Sequence, residues 1–276
     1  MDLASEIKRN VRAALAEDVG GGDLTAPLIS SGKRMRAGVL CRQRAVVCGQ
    51  PWFEATLRQL DPAVEIAWNA PEGASVAAGA SVCSVRGEAR ALLAAERVAL
   101  NFLQMLSGVA TVTRRYVDEI AGTRAKIVDT RKTLPGLRLA QKYAVRVGGG
   151  SNHRMGLYDA MLIKENHVAA AGGVRQAVTQ ARKLERTGNW IQVEVETLDQ
   201  LREALDAGAT MILLDNMDIA RMREAVSIAG SRAELEASGG ITLDNVRAIA
   251  ETGVHRISVG ALTKDVMAVD FSMRFE

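Results

Sequence analysis

The spacing of apolar and polar residues predicts a helix at the start of the chain and a mixed α/β region after it. The apolar residues of the first segment recur at helical spacing, at Leu3, Ile7, Val11 and Leu15. Asp2 is a suitable N-cap for this helix, and three consecutive glycines from Gly20 end it. After these glycines, β-like runs separated by turn signals cover 37–41, 64–68 and 81–85, and one helical run covers 51–60. These patterns predict a small N-terminal α/β sandwich.

A regular alternation of strand and helix follows a long helical stretch. The stretch covers 88–119 and carries one predicted interruption, at Ser107-Gly108. Beyond it, β-rich runs each precede a helical run and end at Asp129, Lys164, Glu194, Asp215, Glu236 and Val259. Such alternation predicts a parallel sheet or barrel. Because a closed (β/α) barrel needs eight units, these six predict an open, incomplete ring.

The change of pattern along the chain predicts two domains. The 276 residues are enough for two domains, or for one barrel with an extension. We place the N-terminal α/β sandwich at 1–105, joined by the C-terminal tail at 265–276, and the open α/β barrel at 106–264. The predicted fold class is therefore α/β, with a sandwich and an incomplete barrel.

Composition narrows the possible partners and compartments. The chain has 35 basic and 32 acidic residues, so its net charge does not favour a nucleic-acid or membrane partner. Its longest uncharged stretch, 98–113, is too short and too polar to span a membrane, and the first ten residues resemble no secretory signal. Three cysteines without a CxxC spacing argue against a disulfide framework or a thiolate zinc site. We expect a folded protein of the reducing cytoplasm.

The densest cluster of basic residues is predicted to lie on loops at the mouth of the barrel. Arg131 and Lys132 directly follow a predicted strand, whereas His153 and Arg154 follow a triple glycine. A guanidinium makes two-pronged contacts with carboxylate or phosphate, and an ammonium adds a point charge. The cluster therefore suits a small ligand with several negative charges, and the alternative is a solvated basic surface.

Acids and glycines occupy the ends of the later strands. Glu194 and Asp215 could hold Mg²⁺ or sugar hydroxyls, or could instead pair with the bases or cap helices. Backbone amides at Ser238-Gly239-Gly240 and Gly260 could cradle a phosphate. Lys164 leaves three roles open: a Schiff-base lysine, a phosphate ligand, or an ion-pair partner of Glu165.

These motifs resemble one known family almost from end to end. The chain is similar to quinolinate phosphoribosyltransferases, the decarboxylating enzymes also called nicotinate-nucleotide pyrophosphorylases. The resemblance rests on motifs in the family's order, at Glu17-Asp18, Gly22-Asp23-Leu24-Thr25, Glu96-Arg97 with Asn101, Ser107-Gly108, 129–133, 148–154, 162–167, Glu194, Leu214-Asp215-Asn216, 237–240 and Ser258-Val259-Gly260. The loop after Gly260 has Lys264 where some relatives have histidine.

The resemblance implies an activity and a set of roles. It implies a pentosyltransferase of NAD biosynthesis that converts quinolinate and phosphoribosyl pyrophosphate to nicotinate mononucleotide, pyrophosphate and CO₂, with Mg²⁺. It implies a homodimer, with further assembly open, whose active site lies at the subunit interface. Quinolinate would be bound by Arg131, Lys132, His153, Arg154 and the partner's Arg97. Phosphoribosyl pyrophosphate and its metal would meet Lys132, Lys164, Glu194 and Asp215, and the 5′-phosphate would meet Ser238, Gly239, Gly240 and Gly260. Within this set, the catalytic roles fall to Lys132, Glu194 and Asp215.

Three alternatives stay open from the sequence. A paralogue of the same fold associated with metal uptake would act on another substrate, and the intact set of Arg131, Lys132, His153 and Arg154 disfavours it. An aldolase using Lys164 would be trapped by borohydride with a sugar phosphate. A non-catalytic nucleotide sensor would bind ligand without releasing pyrophosphate, and the charged strand ends disfavour it.

Overall fold

The protein forms two compact units. A computed structural model describes residues 2–184 and 189–276. The first unit comprises Met1–Arg114, Thr133–Gly149 and Leu262–Glu276, and the second comprises Arg115–Lys132 and Gly150–Ala261. The domain boundaries stated from the sequence stay a prediction.

The elements follow one another in two stretches of different pattern. The first stretch contains α1 (Leu3–Asp18), a 3-10 turn (Ala26–Leu28), β1 (Arg34–Cys41), β2 (Ala45–Val46), α2 (Gln50–Leu60), β3 (Glu65–Trp68), β4 (Ser75–Val76), β5 (Ser81–Glu88) and α3 (Ala89–Glu119). The second contains β6 (Lys126–Val128), α4 (Arg138–Val147), β7 (Ala160–Ile163), α5 (Glu165–Ala171), α6 (Val174–Lys183), β8 (Trp190–Val195), α7 (Leu198–Asp206), β9 (Met211–Asp215), α8 (Ile219–Ala229), β10 (Glu234–Ser238), α9 (Leu243–Ala250), β11 (Arg256–Ser258), α10 (Ala261–Lys264) and β12 (Phe271–Phe275).

The first unit contains an antiparallel sheet with the strand order β12-β1-β5-β3. The last strand of the chain, β12, pairs along β1, with Val39 opposite Met273. Buried apolar side chains from these strands pack with those of α2 and α3, among them Phe53, Leu57 and Leu103. This apolar cluster is the core of the unit, and its burial is the main stabilising contribution there.

The predicted start of α1 is confirmed, but the predicted interruption of α3 is wrong. Asp2 caps α1 by accepting a hydrogen bond from the Ser5 amide at 3.0 Å. α3 continues through Ser107 and Gly108 for 31 residues. The buried Ser107 hydroxyl accepts from the Cys48 amide and donates to the Cys48 carbonyl, and a Cβ at Gly108 would clash with the backbone of Met267. The two small residues therefore permit close backbone packing and do not break the helix.

The second unit contains a six-stranded parallel sheet with the order β6-β11-β10-β9-β8-β7. Each strand end predicted from the sequence lies within two residues of the observed one. Among the residues that the structure describes, the outer strands β6 and β7 do not pair with each other, so the ring is open. The predicted fold class, an α/β sandwich with an incomplete α/β barrel, is confirmed.

Membrane-spanning helices were searched for along 2–184 and 189–276. None of the helices in these ranges is both long enough and apolar enough to cross a bilayer.

Candidate active site

The carboxyl ends of the parallel strands bring most of the predicted site residues to one edge of the second unit. Lys164 directly follows β7, Asp215 ends β9 and Ser238 ends β10. Glu194 is the penultimate residue of β8, and Gly260 lies two residues beyond β11. In barrels of parallel strands, this edge is where ligands bind. The edge formed by these strand ends and the loops after them is the mouth.

Lys164 and Glu194 form an ion pair at the mouth. The Lys164 ammonium lies 3.1 Å from the Glu194 carboxylate, and the lysine side chain is half exposed whereas the glutamate side chain is largely buried. Within the described ranges, the lysine forms this pair across two neighbouring strands, not with the adjacent Glu165. The pair holds an ammonium at a position where a phosphate could reach it.

Asp215 is held by the residue that follows it. The Asn216 side-chain amide donates to the Asp215 carboxylate at 2.8 Å, and the Asn216 backbone amide donates to the Ser238 carbonyl at 2.9 Å. Asn216 has φ 52°, which makes it the one non-glycine residue with positive φ in the part of the chain that the structure describes. Such a conformation is uncommon outside glycine and is tolerated best by Asn and Asp. A Cβ at Gly239 would clash with the Asn216 side chain, so the glycine loop packs against the residue that holds the Asp215 carboxylate.

Lys132 extends over the loop that follows β11. A Cβ added at Gly260 would lie 3.2 Å from Cδ of Lys132, so the lysine stem crosses directly above this glycine. The Lys132 amide donates to the Thr130 hydroxyl at 3.0 Å, which shapes the turn after β6. Lys132 and Gly260, which are 128 positions apart in sequence, are therefore neighbours.

A buried carboxylate orders the loop that carries His153 and Arg154. Asp129, which is fully buried, accepts from the His153 amide at 2.8 Å and from the Asn152 side chain at 2.6 Å. The Asp129 amide donates in turn to the Ser151 carbonyl. These bonds tie the loop to the end of β6, as expected for a buried charge that needs several donors.

Arg154 is buried, and its side chain reaches the first residue of β7. It is 7% exposed, and its guanidinium donates to the Ala160 carbonyl at 3.3 Å. Burial lowers the pKa of Arg154, the nearby charge of Arg131 lowers it further, and Asp159 opposes both effects. A buried guanidinium with a second positive charge nearby favours a negatively charged ligand.

The barrel interior below the mouth contains polar side chains to which the sequence analysis gave no role. Gln192 on β8 and Glu236 on β10 are 1% and 0% exposed and hydrogen-bond to each other at 3.1 Å. His153 lies 3.0 Å from Gln192, and Arg256 forms an ion pair with Glu236 at 2.9 Å. Gln192 precedes Glu194, and Glu236 precedes Ser238, by two positions, which is the spacing of one strand face. This two-residue spacing is the sequence signal that could have revealed Gln192 and Glu236.

Comparison with known proteins decides the family. The family model described as "Quinolinate phosphoribosyl transferase, C-terminal domain" matches residues 109–274, and the corresponding N-terminal domain model matches 23–107. The chain belongs to the quinolinate phosphoribosyl transferase family. The resemblance noted from the motifs is confirmed.

Individual members of the quinolinate phosphoribosyl transferase family match along nearly the whole chain. A Bacillus subtilis protein named probable nicotinate-nucleotide pyrophosphorylase [carboxylating] is 41% identical over 97% of this chain and 93% of its own. A mitochondrial quinolinate phosphoribosyltransferase [decarboxylating] of Nicotiana tabacum is 40% identical over 98% of this chain and 82% of its own. The solved nicotinate-nucleotide pyrophosphorylase of Francisella tularensis is 45% identical with a TM-score of 0.96, covering 100% of this chain and 98% of that one. None of these three names refers to metal uptake.

Arg97 is the one predicted site residue that belongs to the first unit. It lies on α3 with an exposed side chain. Its neighbour Glu96 is partly buried, and this burial raises the pKa of the Glu96 carboxyl, whereas the charge of Arg97 lowers it. The role assigned to Arg97 by the family resemblance stays a prediction.

The carboxylates at the mouth suit a metal that arrives with a substrate. Within 2–184 and 189–276, no group of three or more His, Cys, Asp or Glu side chains is placed to hold an ion by itself. Glu194 and Asp215 are two carboxylates on the same face of adjacent strands. Mg²⁺ commonly binds one or two carboxylates together with substrate phosphates and water. The donor set in this member of the quinolinate phosphoribosyl transferase family fits that arrangement.

Proposed function

We propose that this protein transfers the phosphoribosyl group of phosphoribosyl pyrophosphate to the ring nitrogen of quinolinate. The products are nicotinate mononucleotide, pyrophosphate and CO₂, and the reaction serves NAD biosynthesis. The observation that carries the proposal is the mouth itself, where the side chains of Lys132 and Lys164 lie together with two acids and two glycine loops at the ends of the parallel strands. Quinolinate supplies the two carboxylates, and the second substrate supplies the sugar and the phosphates.

The anionic ring is the ligand that the basic side of the mouth would hold. Arg131 and Arg154 would each face a carboxylate of quinolinate, and Lys132 would lie between this site and the loop at Gly260. Bidentate contacts fix the plane of the ring as well as its position. The ring nitrogen would then point at the anomeric carbon of the sugar, and such orientation is a major source of rate enhancement.

The acidic side of the mouth would hold the sugar. Asp215 and Glu194 would accept hydrogen bonds from ribose hydroxyls or take part in binding Mg²⁺, and their charges would stabilise the cation-like sugar as the bond to pyrophosphate breaks. Backbone amides at Gly239 and Gly240 would bind the 5′-phosphate. Lys164, which is paired with Glu194, would move its ammonium to the pyrophosphate. Bound Mg²⁺ would neutralise charge on the leaving pyrophosphate.

Decarboxylation needs little further machinery. Once the nitrogen bears the sugar, the ring is a pyridinium, and it can accept the electron pair left at C2 when the C2–carboxylate bond breaks and CO₂ departs. C2 then takes up a proton. The protein has to hold the ring in place through this step, which the two guanidinium groups would do.

The site would be completed by a second copy of this chain. The family resemblance assigns Arg97 to the partner's site, and its exposure on α3 leaves the guanidinium free to reach outward. In a two-fold dimer each subunit would lend its Arg97 and borrow the other's. The protein would work in a reducing cytoplasm, where the free, buried Cys41, Cys48 and Cys83 stay thiols.

One assay tests the reaction. Protein, quinolinate, phosphoribosyl pyrophosphate and Mg²⁺ are mixed, and CO₂ and nicotinate mononucleotide are measured. Nicotinate in place of quinolinate would leave one cationic group unpaired, so its kcat/KM should be lower by about tenfold to a hundredfold. Equal use of nicotinate, or no CO₂ from quinolinate, would contradict the proposal.

Mixing two inactive variants tests the dimer. Arg97→Ala and Lys132→Ala subunits, exchanged at equal concentration, should form mixed dimers in which one site has both residues and the other has neither. With random pairing, about a quarter of the wild-type activity should return. Subunit exchange shown by mass, with no returned activity, would rule out the role of Arg97 in the partner's site.

A further inference from the structure

The polar side chains inside the barrel form a connected chain that reaches the backbone amide of Arg154. β8 and β10 are separated by β9, so the hydrogen bond between Gln192 and Glu236 crosses the concave side of the sheet. His153 continues this chain on one side and Arg256 on the other. Trp190 covers both ends, with its ring 5.0 Å from the His153 ring and 5.9 Å from the Arg256 guanidinium. We call His153, Gln192, Glu236 and Arg256 the interior chain.

The direction of the hydrogen bonds in the interior chain determines the state of the histidine. The Arg154 backbone amide donates to Nδ1 of His153 at 2.8 Å, so this nitrogen must be an acceptor. The neutral ring therefore carries its proton on Nε2, which donates to the Gln192 carbonyl oxygen at 3.0 Å. The Gln192 amide then donates to Glu236 at 3.1 Å. Each donor in this row meets an acceptor.

The interior chain stabilises the barrel less than apolar side chains in the same positions would. Branched apolar residues normally dominate such interiors. A fully buried carboxylate that is only partly paired is often less stabilising than an apolar residue of the same size. In the described ranges, one oxygen of Glu236 lacks a hydrogen-bond partner, and Nε of Arg256 has only its ion-pair contact with the other oxygen. Packing alone therefore does not account for these residues, and a role at the adjoining mouth does.

We propose that Gln192 and Glu236 are positioning residues for substrate binding, which act by holding the His153 ring and, through its Nδ1, the backbone amide of Arg154. This inference rests on the proposed function and adds to it. Both ring nitrogens of His153 face protein groups, so the ring braces the main chain and the guanidinium of Arg154 contacts the quinolinate carboxylate. The assignment differs from the direct carboxylate contact that the family resemblance implies for His153.

Substitutions within the interior chain should change one Michaelis constant more than the other. Gln192→Met keeps the size of the side chain and removes the acceptor of the His153 proton, and we expect KM for quinolinate to rise about tenfold. Glu236→Gln keeps the shape and removes the charge, and a rise of about threefold is expected. KM for phosphoribosyl pyrophosphate and kcat should stay within about twofold, because the interior chain ends at Arg154 and not at the acids. Glu234→Gln, on the same strand but exposed, is the matched control.

The histidine ring gives a readout independent of turnover. The chain has three histidines, so ¹⁵N spectra of labelled protein can be assigned with a His153→Asn variant. The wild-type ring of His153 should show a protonated Nε2 and an unprotonated Nδ1, and Gln192→Met should replace this by a mixture of tautomers. This measurement stands even if quinolinate is not the substrate, in which case the wild-type assay alone would reject the proposed function.

Three results would overturn the inference. A proton on Nδ1 of wild-type His153 would contradict the assigned direction of the bonds. An unchanged KM for quinolinate in both variants would show that the interior chain does not serve binding. An equal rise of both Michaelis constants together with a lower melting temperature would reduce its role to folding. If Gln192→Met does not fold, the isosteric Glu236→Gln decides the outcome.

Discussion

The interior of the first unit and the interior of the barrel are built from different kinds of residue. In the first unit, the antiparallel sheet and its helices bury an apolar cluster that includes Phe53, Leu57 and Leu103. In the second, the concave side of the sheet holds Gln192 and Glu236 in a hydrogen-bonded row. Apolar burial stabilises a fold without direction, whereas buried polar groups are stable only in specific arrangements.

This difference separates residues that maintain the fold from residues that shape the site. The apolar cluster can lose a side chain and keep its topology at a cost in stability. The polar row adjoins the mouth, where Lys164 is held by an ion pair with Glu194 at 3.1 Å and Asp215 by a hydrogen bond from Asn216 at 2.8 Å. Substitutions in the first unit should therefore change stability more than turnover, and substitutions at the mouth should do the reverse.

The largest expected effect is a loss of stability in the first unit. Phe53→Ala removes a fully buried ring and should lower the free energy of unfolding by about 3–5 kcal/mol. Denaturant titration measures this loss, and kcat at 25 °C should remain within about twofold for the folded fraction. The control is Leu28→Ala at an exposed position, with an effect within about 0.5 kcal/mol. A large fall in kcat for Phe53→Ala without a loss of stability would contradict the expectation that substitutions in the first unit change stability more than turnover.

The next effect is a loss of turnover at the mouth. Asp215→Asn keeps the size of the side chain and removes the charge that would stabilise the sugar cation, so kcat should fall by about 100-fold. Steady-state kinetics at saturating Mg²⁺ measure it, with KM for quinolinate nearly unchanged. Asp206→Asn, an exposed residue of the same unit, should retain full turnover. An unchanged kcat in Asp215→Asn would show that the charge of this carboxylate does not contribute to turnover.

A smaller effect is expected where the glycine loop packs on Asn216. Gly239→Ala forces a methyl group against the Asn216 side chain at a backbone φ of 95°, which displaces the amide that holds Asp215. We expect KM for phosphoribosyl pyrophosphate to rise about tenfold. Gly230→Ala shares the positive φ but has open space around it, so it controls for backbone strain alone. Equal kinetics in the two variants would mean that the contact with Asn216 does not matter.

The smallest effect tests the first unit again. Asp2→Ala removes the side-chain oxygen that caps α1 and should cost about 1 kcal/mol of stability. Thermal or denaturant unfolding measures it, with exposed Lys8→Ala as the control. Turnover should not change in either variant. A selective loss of turnover in Asp2→Ala would show that α1 contributes to the site. It would contradict the expectation that substitutions in the first unit change stability more than turnover.

Local pattern was sufficient to predict much of the fold. The helical spacing from Leu3 to Leu15 and the capping residue Asp2 act within a few residues, and α1 begins where they indicate. The ends of the six parallel strands were predicted within two residues, because the residue pattern changes there, whereas β5 continues three residues beyond its predicted end. The prediction failed at Ser107-Gly108, where small residues indicate a break by local rules but serve close packing against residues far away in the sequence.

The candidate site was predictable in part because its residues lie at strand ends. Lys164, Asp215 and Ser238 each stand where a β-rich run stops, and parallel strands bring such positions to one edge. The partners of these residues were not predictable. The lysine pairs with Glu194 and not with its sequence neighbour Glu165, because β7 and β8 lie side by side in the sheet. The order of the strands in the sheet is decided by the tertiary structure.

Sequence alone determined the family, the kinds of element and the inventory of charged groups, since these depend on residue identity and on spacing along the chain. Tertiary structure alone decided which groups meet. Asp129 orders the His153 loop, Lys132 crosses Gly260, and a row of hydrogen bonds inside the barrel ends at the amide of Arg154. The physical reason is that hydrogen bonds and ion pairs act over a few ångströms in space, and only the closing of the sheet brings distant segments within that range.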